Sequence, residues 1–116
     1  MSPRTDRTRR TAALARSAPI FAALGDATRL RLVATLCAGS AMSIAQLTAG
    51  TTITRQAVTR HLTVLAEAGL VHDLWRGRER LWSFAPSRLD EARNALDAIN
   101  AEWSGALSRL QRFVEH

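Results

Sequence analysis

Lysine is missing from this sequence: all sixteen basic residues are arginine. The cationic side chain it relies on is therefore the planar fork that suits phosphate oxygens and guanine edges, not a compact point charge. Cysteine is almost as scarce. Cys37 stands alone, which excludes an intramolecular disulfide or a multi-thiolate metal site within one chain and fits a reducing cytoplasm. No apolar run approaches the roughly 20 residues of a membrane span, and the apolar stretch near the start is cut by Arg16 and Pro19. Neither secretion nor membrane insertion is expected. Ser/His/Asp, Cys/His, paired-carboxylate and phosphate-cradling glycine signatures are lacking too, so neither catalysis nor a cofactor is expected.

What is present suits one small domain: 116 residues, 47% of them apolar, with a net charge of +6. The charge is uneven. Residues 1–16 carry five Arg and one Asp, 17–53 two Arg and one Asp, 54–85 five Arg and three acids, and 86–116 four Arg and five acids. An excess confined to the start and the middle points to an anionic partner. The first sixteen residues superficially resemble a transit peptide, but a basic arm explains the same composition.

Residues 1–10 have almost no apolar side chains and read as a flexible arm, with the main domain over 11–85. Pro19 suits a first helical turn, opening a short helix with Ile20, Phe21 and Leu24 that stops near Gly25. Asp26 caps a second helix, where Leu30, Val33, Leu36 and Cys37 form an apolar stripe and Cys37 reads as an inert core residue. Ser43 and Gln46 have capping-box spacing for a short third helix with Ile44 and Leu47 inward. Thr54 caps a fourth helix to about Ala68, with Val58, Leu62 and Leu65 on one face and Arg55, Gln56, Thr59, Arg60 and Thr63 on the other. Gly69 stops it.

From Leu70 to Trp75 and from Arg80 to Phe84 the helical period gives way to a hairpin with an arginine-rich tip. Trp75, Trp82 and Phe84 read as its half-buried face rather than a stacking platform for single strands. Residues 86–116 return to a sustained heptad through Leu89, Ala92, Leu96, Ile99, Trp103, Ala106, Leu110 and Phe113, longer than one small core requires. The expected fold is mainly α in the order α-α-α-α-β-β-α, with a long C-terminal dimerisation helix.

Two short helices joined by a tight turn, the second displaying cationic and polar residues from its first turns, are what a helix-turn-helix needs. Arg55 and Arg60 can pair with guanine or phosphate, Gln56 with adenine, and Thr54 and Thr59 with the DNA backbone. Arg76, Arg78 and Arg80 around Gly77 provide a second contact, a wing. His61 has two readings, a phosphate contact or a hydrogen bond within the domain.

These residues resemble the ArsR/SmtB winged-helix repressors of bacteria. Ala23-Leu24-Gly25-Asp26-Ala27-Thr28-Arg29-Leu30-Arg31-Leu32 is similar to that family's second-helix entry, with Ala27 where proline is usual. Ile53-Thr54-Arg55-Gln56-Ala57-Val58-Thr59-Arg60-His61-Leu62, then Leu65 and Ala68-Gly69-Leu70-Val71, resembles its recognition helix, and Gly77-Arg78-Glu79-Arg80 its wing tip. The resemblance covers roughly residues 18–115. It implies a DNA-binding dimer whose first and last helices form the subunit contact, through Phe21, Leu89, Leu96, Ile99, Trp103, Leu110 and Phe113. It also implies base-reading roles for Arg55, Gln56, Thr59 and Arg60.

Departures from the family matter as well. Met42-Ser43-Ile44-Ala45-Gln46-Leu47 holds no cysteine pair, and the last helix offers Asp90, Glu91, Asp97 and Glu102 with no histidine before His116, so no metal site is expected. The reading is a homodimeric repressor on an inverted-repeat operator in double-stranded DNA, cytoplasmic, with no membrane partner; the sequence names no effector. The alternatives are a winged-helix protein-interaction module without DNA binding, or a single-stranded nucleic-acid binder.

Overall fold

The computed structural model describes residues 3–115, in the order α1 (Pro3–Leu24), α2 (Ala27–Ala38), β1 (Met42–Ser43), α3 (Ile44–Ala49), α4 (Arg55–Glu67), β2 (Val71–Arg76), β3 (Glu79–Phe84) and α5 (Pro86–Glu115). The polar caps read from the sequence set three of the helix starts. Asp26 accepts from the Arg29 amide at 3.0 Å, and Thr54 from the Ala57 amide at 3.1 Å. Ser43 and Gln46 close a full capping box: Ser43 Oγ accepts from the Gln46 amide, and Gln46 Oε1 from the Ser43 amide. Each cap satisfies amide donors that the first helical turn leaves without partners.

Apolar side chains from every layer meet in one core: Ile20 and Ala23 of α1, Leu32, Val33 and Leu36 of α2, Leu47 of α3, Val58, Leu62 and Leu65 of α4, then Leu70, Val71, Trp82 and Ala92. The expected mainly helical fold with a small hairpin is what forms. The sheet has one strand more than expected. β1, only two residues long, pairs antiparallel with β3 through Met42↔Trp82 and Ser43↔Leu81, giving the strand order β1-β3-β2. Two residues are too few to show a period, and Ser43 signals a helix cap more strongly than a strand.

Helix α1 begins at Pro3, not near Pro19, so residues 3–10 are helical where a flexible arm was expected; residues 1–2 lie outside the described residues. Proline at a first helical position forfeits no bond, and the arginines and alanines that follow are good helix formers. Pro19 is instead carried inside the helix. Its missing donor and its clash with the preceding turn are costly, and the burial of Ile20 and Ala23 beside it offsets that cost.

The stripe on α2 is also shifted. Leu32, Val33 and Leu36 face the core, while Leu30 is 53% exposed and Cys37 lies on the surface. A helix turns 100° per residue, so positions 30 and 37 lie together just beyond the Val33 edge of this stripe rather than within it. Partial desolvation raises the Cys37 thiol above its ordinary value, favouring the protonated, less reactive form.

Helix α4 ends in a Schellman motif. The Gly69 amide donates to Ala66 O and the Leu70 amide to Leu65 O, each at 2.9 Å, with Gly69 at a φ of +79° and Leu65 and Leu70 fully buried together. A Cβ at Gly69 would come within 2.7 Å of Arg88 Cγ, whereas Gly77, at a φ of +64°, has open space around it. Gly69→Ala is expected to cost about 1–2 kcal/mol from the left-handed backbone alone, plus the displacement of Arg88. Gly77→Ala should cost less. Urea unfolding at one fixed protomer concentration tests this order; equal losses would contradict it.

Candidate nucleic-acid interface

Helix α4 has two unlike sides. Val58, Leu62 and Leu65 are each 0% exposed, and this fixes how the rest of the helix faces outward. Arg55, Gln56 and Arg60 are exposed on its outer side, with Thr59 half-buried between them, and all four border one shallow surface hollow with Ile44 of α3. Arg55, Gln56 and Arg60 make no side-chain hydrogen bond or ion pair among the described residues. The threonines are partly engaged. Thr54 Oγ1 is the helix cap, and Thr59 Oγ1 donates to Arg55 O at 2.8 Å, leaving only acceptor capacity for a further contact.

His61 takes the second of its two readings. Its Nδ1 lies 3.4 Å from an Arg29 guanidinium nitrogen and 3.9 Å from Asp26 Oδ2. Arg29 also donates from Nε to Ala23 O and from Nη2 to Ala22 O, the carbonyls that end α1. One cluster thus ties the end of α1, the start of α2 and the middle of α4. Sequence reasoning found the Asp26 cap but not this clasp, whose signal is an arginine three residues after the capping aspartate.

The wing is formed as expected, with a correction at Trp75. Strands β2 and β3 pair from Val71↔Phe84 to Arg76↔Glu79, and a positive φ at Gly77 closes the two-residue loop. Trp82 is 3% exposed and Phe84 is half-buried, but Trp75 is 65% exposed. It pairs with Arg80 toward the turn, away from the core cluster. The three wing arginines also differ. Arg80 donates from Nε to Asp73 Oδ2 at 2.8 Å and lies 4.6 Å from the Trp82 ring centre, so it braces the hairpin. Arg76 and Arg78 are exposed and make no ion pair among the described residues.

The heptad on α5 divides into two parts. Leu89 and Ala92 close the protomer's own core, and Phe21, Leu24, Leu89 and Leu96 border a hollow between α1 and α5. Farther along, Leu96, Ile99, Trp103, Leu107, Leu110 and Phe113 are all between 45% and 81% exposed. No helix is long and apolar enough to cross a membrane, and no three His, Cys, Asp or Glu side chains converge as a metal site, among the described residues.

A capped, tightly seated helix after a short turn, followed by a two-stranded arm, defines a winged helix-turn-helix protein. Residues 24–73 match the family model described as a helix-turn-helix domain. The chain is 32% identical over 93 residues to the HTH-type transcriptional regulator Rv2034 of Mycobacterium tuberculosis, covering 80% of this chain and 83% of that one. It is also similar to the structure of an ArsR-like transcriptional regulator from Rhodococcus sp. RHA1, with a TM-score of 0.72, 32% identity and coverage of 85% of this chain and 92% of that one. The homodimeric winged helix-turn-helix DNA-binding domain of Mb0332 from Mycobacterium bovis shares the fold, with a TM-score of 0.61, 24% identity and coverage of 81% and 85%. The chain belongs to the ArsR family of winged helix-turn-helix transcriptional regulators. Its work is DNA-binding regulation.

The clasp carries a pH signature. The backbone hydrogen bond from Arg29, helped by the charges of Arg29 and His61, holds the Asp26 carboxyl below its ordinary value of 3.8. A lowered folded value means that the charged form stabilises the fold; the contribution is complete above the ordinary value and is lost as pH falls through the folded one. Asp26→Asn keeps a capping oxygen but no charge. It should be less stable than wild type at pH ~6, with the gap closing as pH drops below 3.8, in urea midpoints measured across that range. A gap independent of pH would assign Asp26 a purely steric role.

Proposed function

We propose that this chain is a cytoplasmic repressor that binds double-stranded operator DNA as a homodimer, each copy laying its α4 in a major groove. The observation that carries this reading is the outer side of α4: Arg55, Gln56 and Arg60 unpaired and exposed above an inner side that has no freedom to turn. The first turns of such a helix reach base edges, and its positive end favours phosphate. Arg55, Gln56, Thr59 and Arg60 read bases, Thr54 holds the helix start at the backbone, Arg76 and Arg78 meet phosphates, and Arg80 keeps the wing in shape. The subunit contact uses Leu96, Ile99, Trp103, Leu110 and Phe113, joined by the sides of Phe21 and Leu89 that the protomer's own core leaves uncovered. The exposure of the distal seam supports it, as does the homodimeric Mycobacterium bovis relative. Two-fold symmetry then calls for an inverted repeat with half-sites about 34–36 Å apart, and occupancy there blocks polymerase.

Fluorescence anisotropy with promoter duplexes in a salt series tests the core of this reading. Affinity should fall with salt at a log–log slope of about −0.9 per neutralised phosphate. Arg60→Ala should weaken binding and relax base preference, whereas Arg78→Ala should weaken every sequence alike. Equal losses across base variants for both would reverse the assigned roles. A chain that ignores duplexes would leave the interaction-module alternative standing, and one that prefers single strands in competition would favour the other alternative.

The subunit contact is tested separately. Trp103→Glu and Leu110→Glu alter side chains already 62% and 59% exposed, so the protomer should fold normally. Sedimentation at micromolar concentration should show a dimer for wild type and monomers for the variants, with operator affinity falling in parallel. A wild-type monomer under those conditions excludes the dimer.

A further inference from the structure

We infer that Trp75 is a DNA-contacting side chain of the wing, its indole covered by the sugar walls of the minor groove when the protein is bound. This rests on the duplex-binding reading above and extends it to a side chain of different chemistry. Two tryptophans of this chain are largely exposed, Trp75 at 65% and Trp103 at 62%, and their surroundings assign them different partners. Trp103 lies among Ile99, Leu107 and Leu110 on an apolar seam, which calls for a like surface. Trp75 stands at the base of the wing tip that carries Arg76, on the opposite hairpin face, and Arg78 in the turn, the two wing arginines without an ion pair among the described residues. A surface that covers Trp75 must therefore offer an apolar wall edged by negative charge. The minor groove is such a surface: deoxyribose walls beneath two phosphate rails, where architectural proteins already place apolar wedges beside arginines. A wing that follows a helix with a free cationic side reaches that groove on the same duplex.

The wing is also built to hold the indole outward. Trp75 shares a hairpin face with its cross-strand partner Arg80, and Arg80 is fixed from behind by Asp73 at 2.8 Å and by the Trp82 ring at 4.6 Å. Trp82 and its β1 partner Met42 root that face in the core. Trp75 is thus presented on a stiffened arm.

Salt dependence separates this contact from the ionic ones. With a mixed-sequence duplex between about 50 and 200 mM salt, Trp75→Ala should weaken binding with the salt slope unchanged, while Arg78→Ala should make the slope shallower by about 0.9 for each of the dimer's two copies. The expected loss is about tenfold, which needs only about 55 Å² of the indole to leave water. Trp75→Phe should recover most of it. The emission that acrylamide quenches in wild type but not in Trp75→Phe should become shielded at saturating duplex. Wild-type affinity for Trp75→Ala at every salt, continued quenching of Trp75 in the complex, or dissociation of Trp75→Ala into monomers would each overturn the assignment. A wild-type chain that binds no duplex would instead bring down the DNA-binding reading itself, and this inference with it.

Discussion

Everything exposed on α4 depends on what is hidden beneath it. Val58, Leu62 and Leu65 have no accessible surface, and rotating the helix about its axis would bring at least one of them into water while burying an arginine on the opposite side. Both changes are heavily penalised, the first by lost transfer free energy and the second by desolvation of an unpaired charge. The same burial fixes the helix lengthwise. Thr54 stops it at one end and the Schellman turn at Gly69 at the other, and the Asp26–Arg29–His61 clasp anchors its middle to the end of α1 and the start of α2. The outer side chains are thus displayed by a rigid support, which removes much of the ordering cost that a contact formed from flexible groups would carry.

The protomer by itself is extended. Its radius of gyration is 18.9 Å, against about 13–14 Å for a compact domain of this length, and it measures 66 × 30 × 21 Å. The 30-residue α5, about 45 Å long, accounts for much of that. Its first turns belong to the domain core through Leu89, Ala92 and Ala95, and its later turns carry large apolar side chains that nothing in the protomer covers. Under the proposed dimer one helix therefore serves two structures in sequence, which makes the subunit contact continuous with the core and leaves little play between the two reading heads.

Much of this was legible in the residues. The caps at Asp26, Ser43 and Thr54, the stop at Gly69 and the alternation of faces on α4 are local codes, each decided by a few neighbouring side chains, and each formed as read. The misreadings were of two kinds. Pro19 reads locally as a helix start and the polar opening residues as an arm, whereas α1 runs from Pro3 through Pro19, with Arg9, Ala13 and Ser17 alongside Glu91 and Ala95 of α5. Local spacing fits Leu30, Cys37 and Trp75 to buried faces, but it does not fix which arc of α2 meets the core or how far the hairpin runs past it. β1 is invisible to any period, and the clasp of Arg29 and His61 joins residues 32 positions apart, a separation that local spacing cannot reveal. For the interface itself, residue type and helix phase mark Arg55, Gln56 and Arg60, but only the contacts of Arg80 with Asp73 and Trp82 separate it from Arg76 and Arg78, which have no ion pair among the described residues.

Ser43 holds two posts at once. It is the edge-strand partner of Leu81 and the cap of α3, so it adds a direct tie between the arm that carries Gly77 and the helix pair that ends in α4, which already share the core. They form one jaw, not two fingers. Under the proposed duplex-binding reading, such a jaw would measure its target as a fixed caliper does, and a helical stretch lengthened by one base pair between the two grips would meet at most one of them.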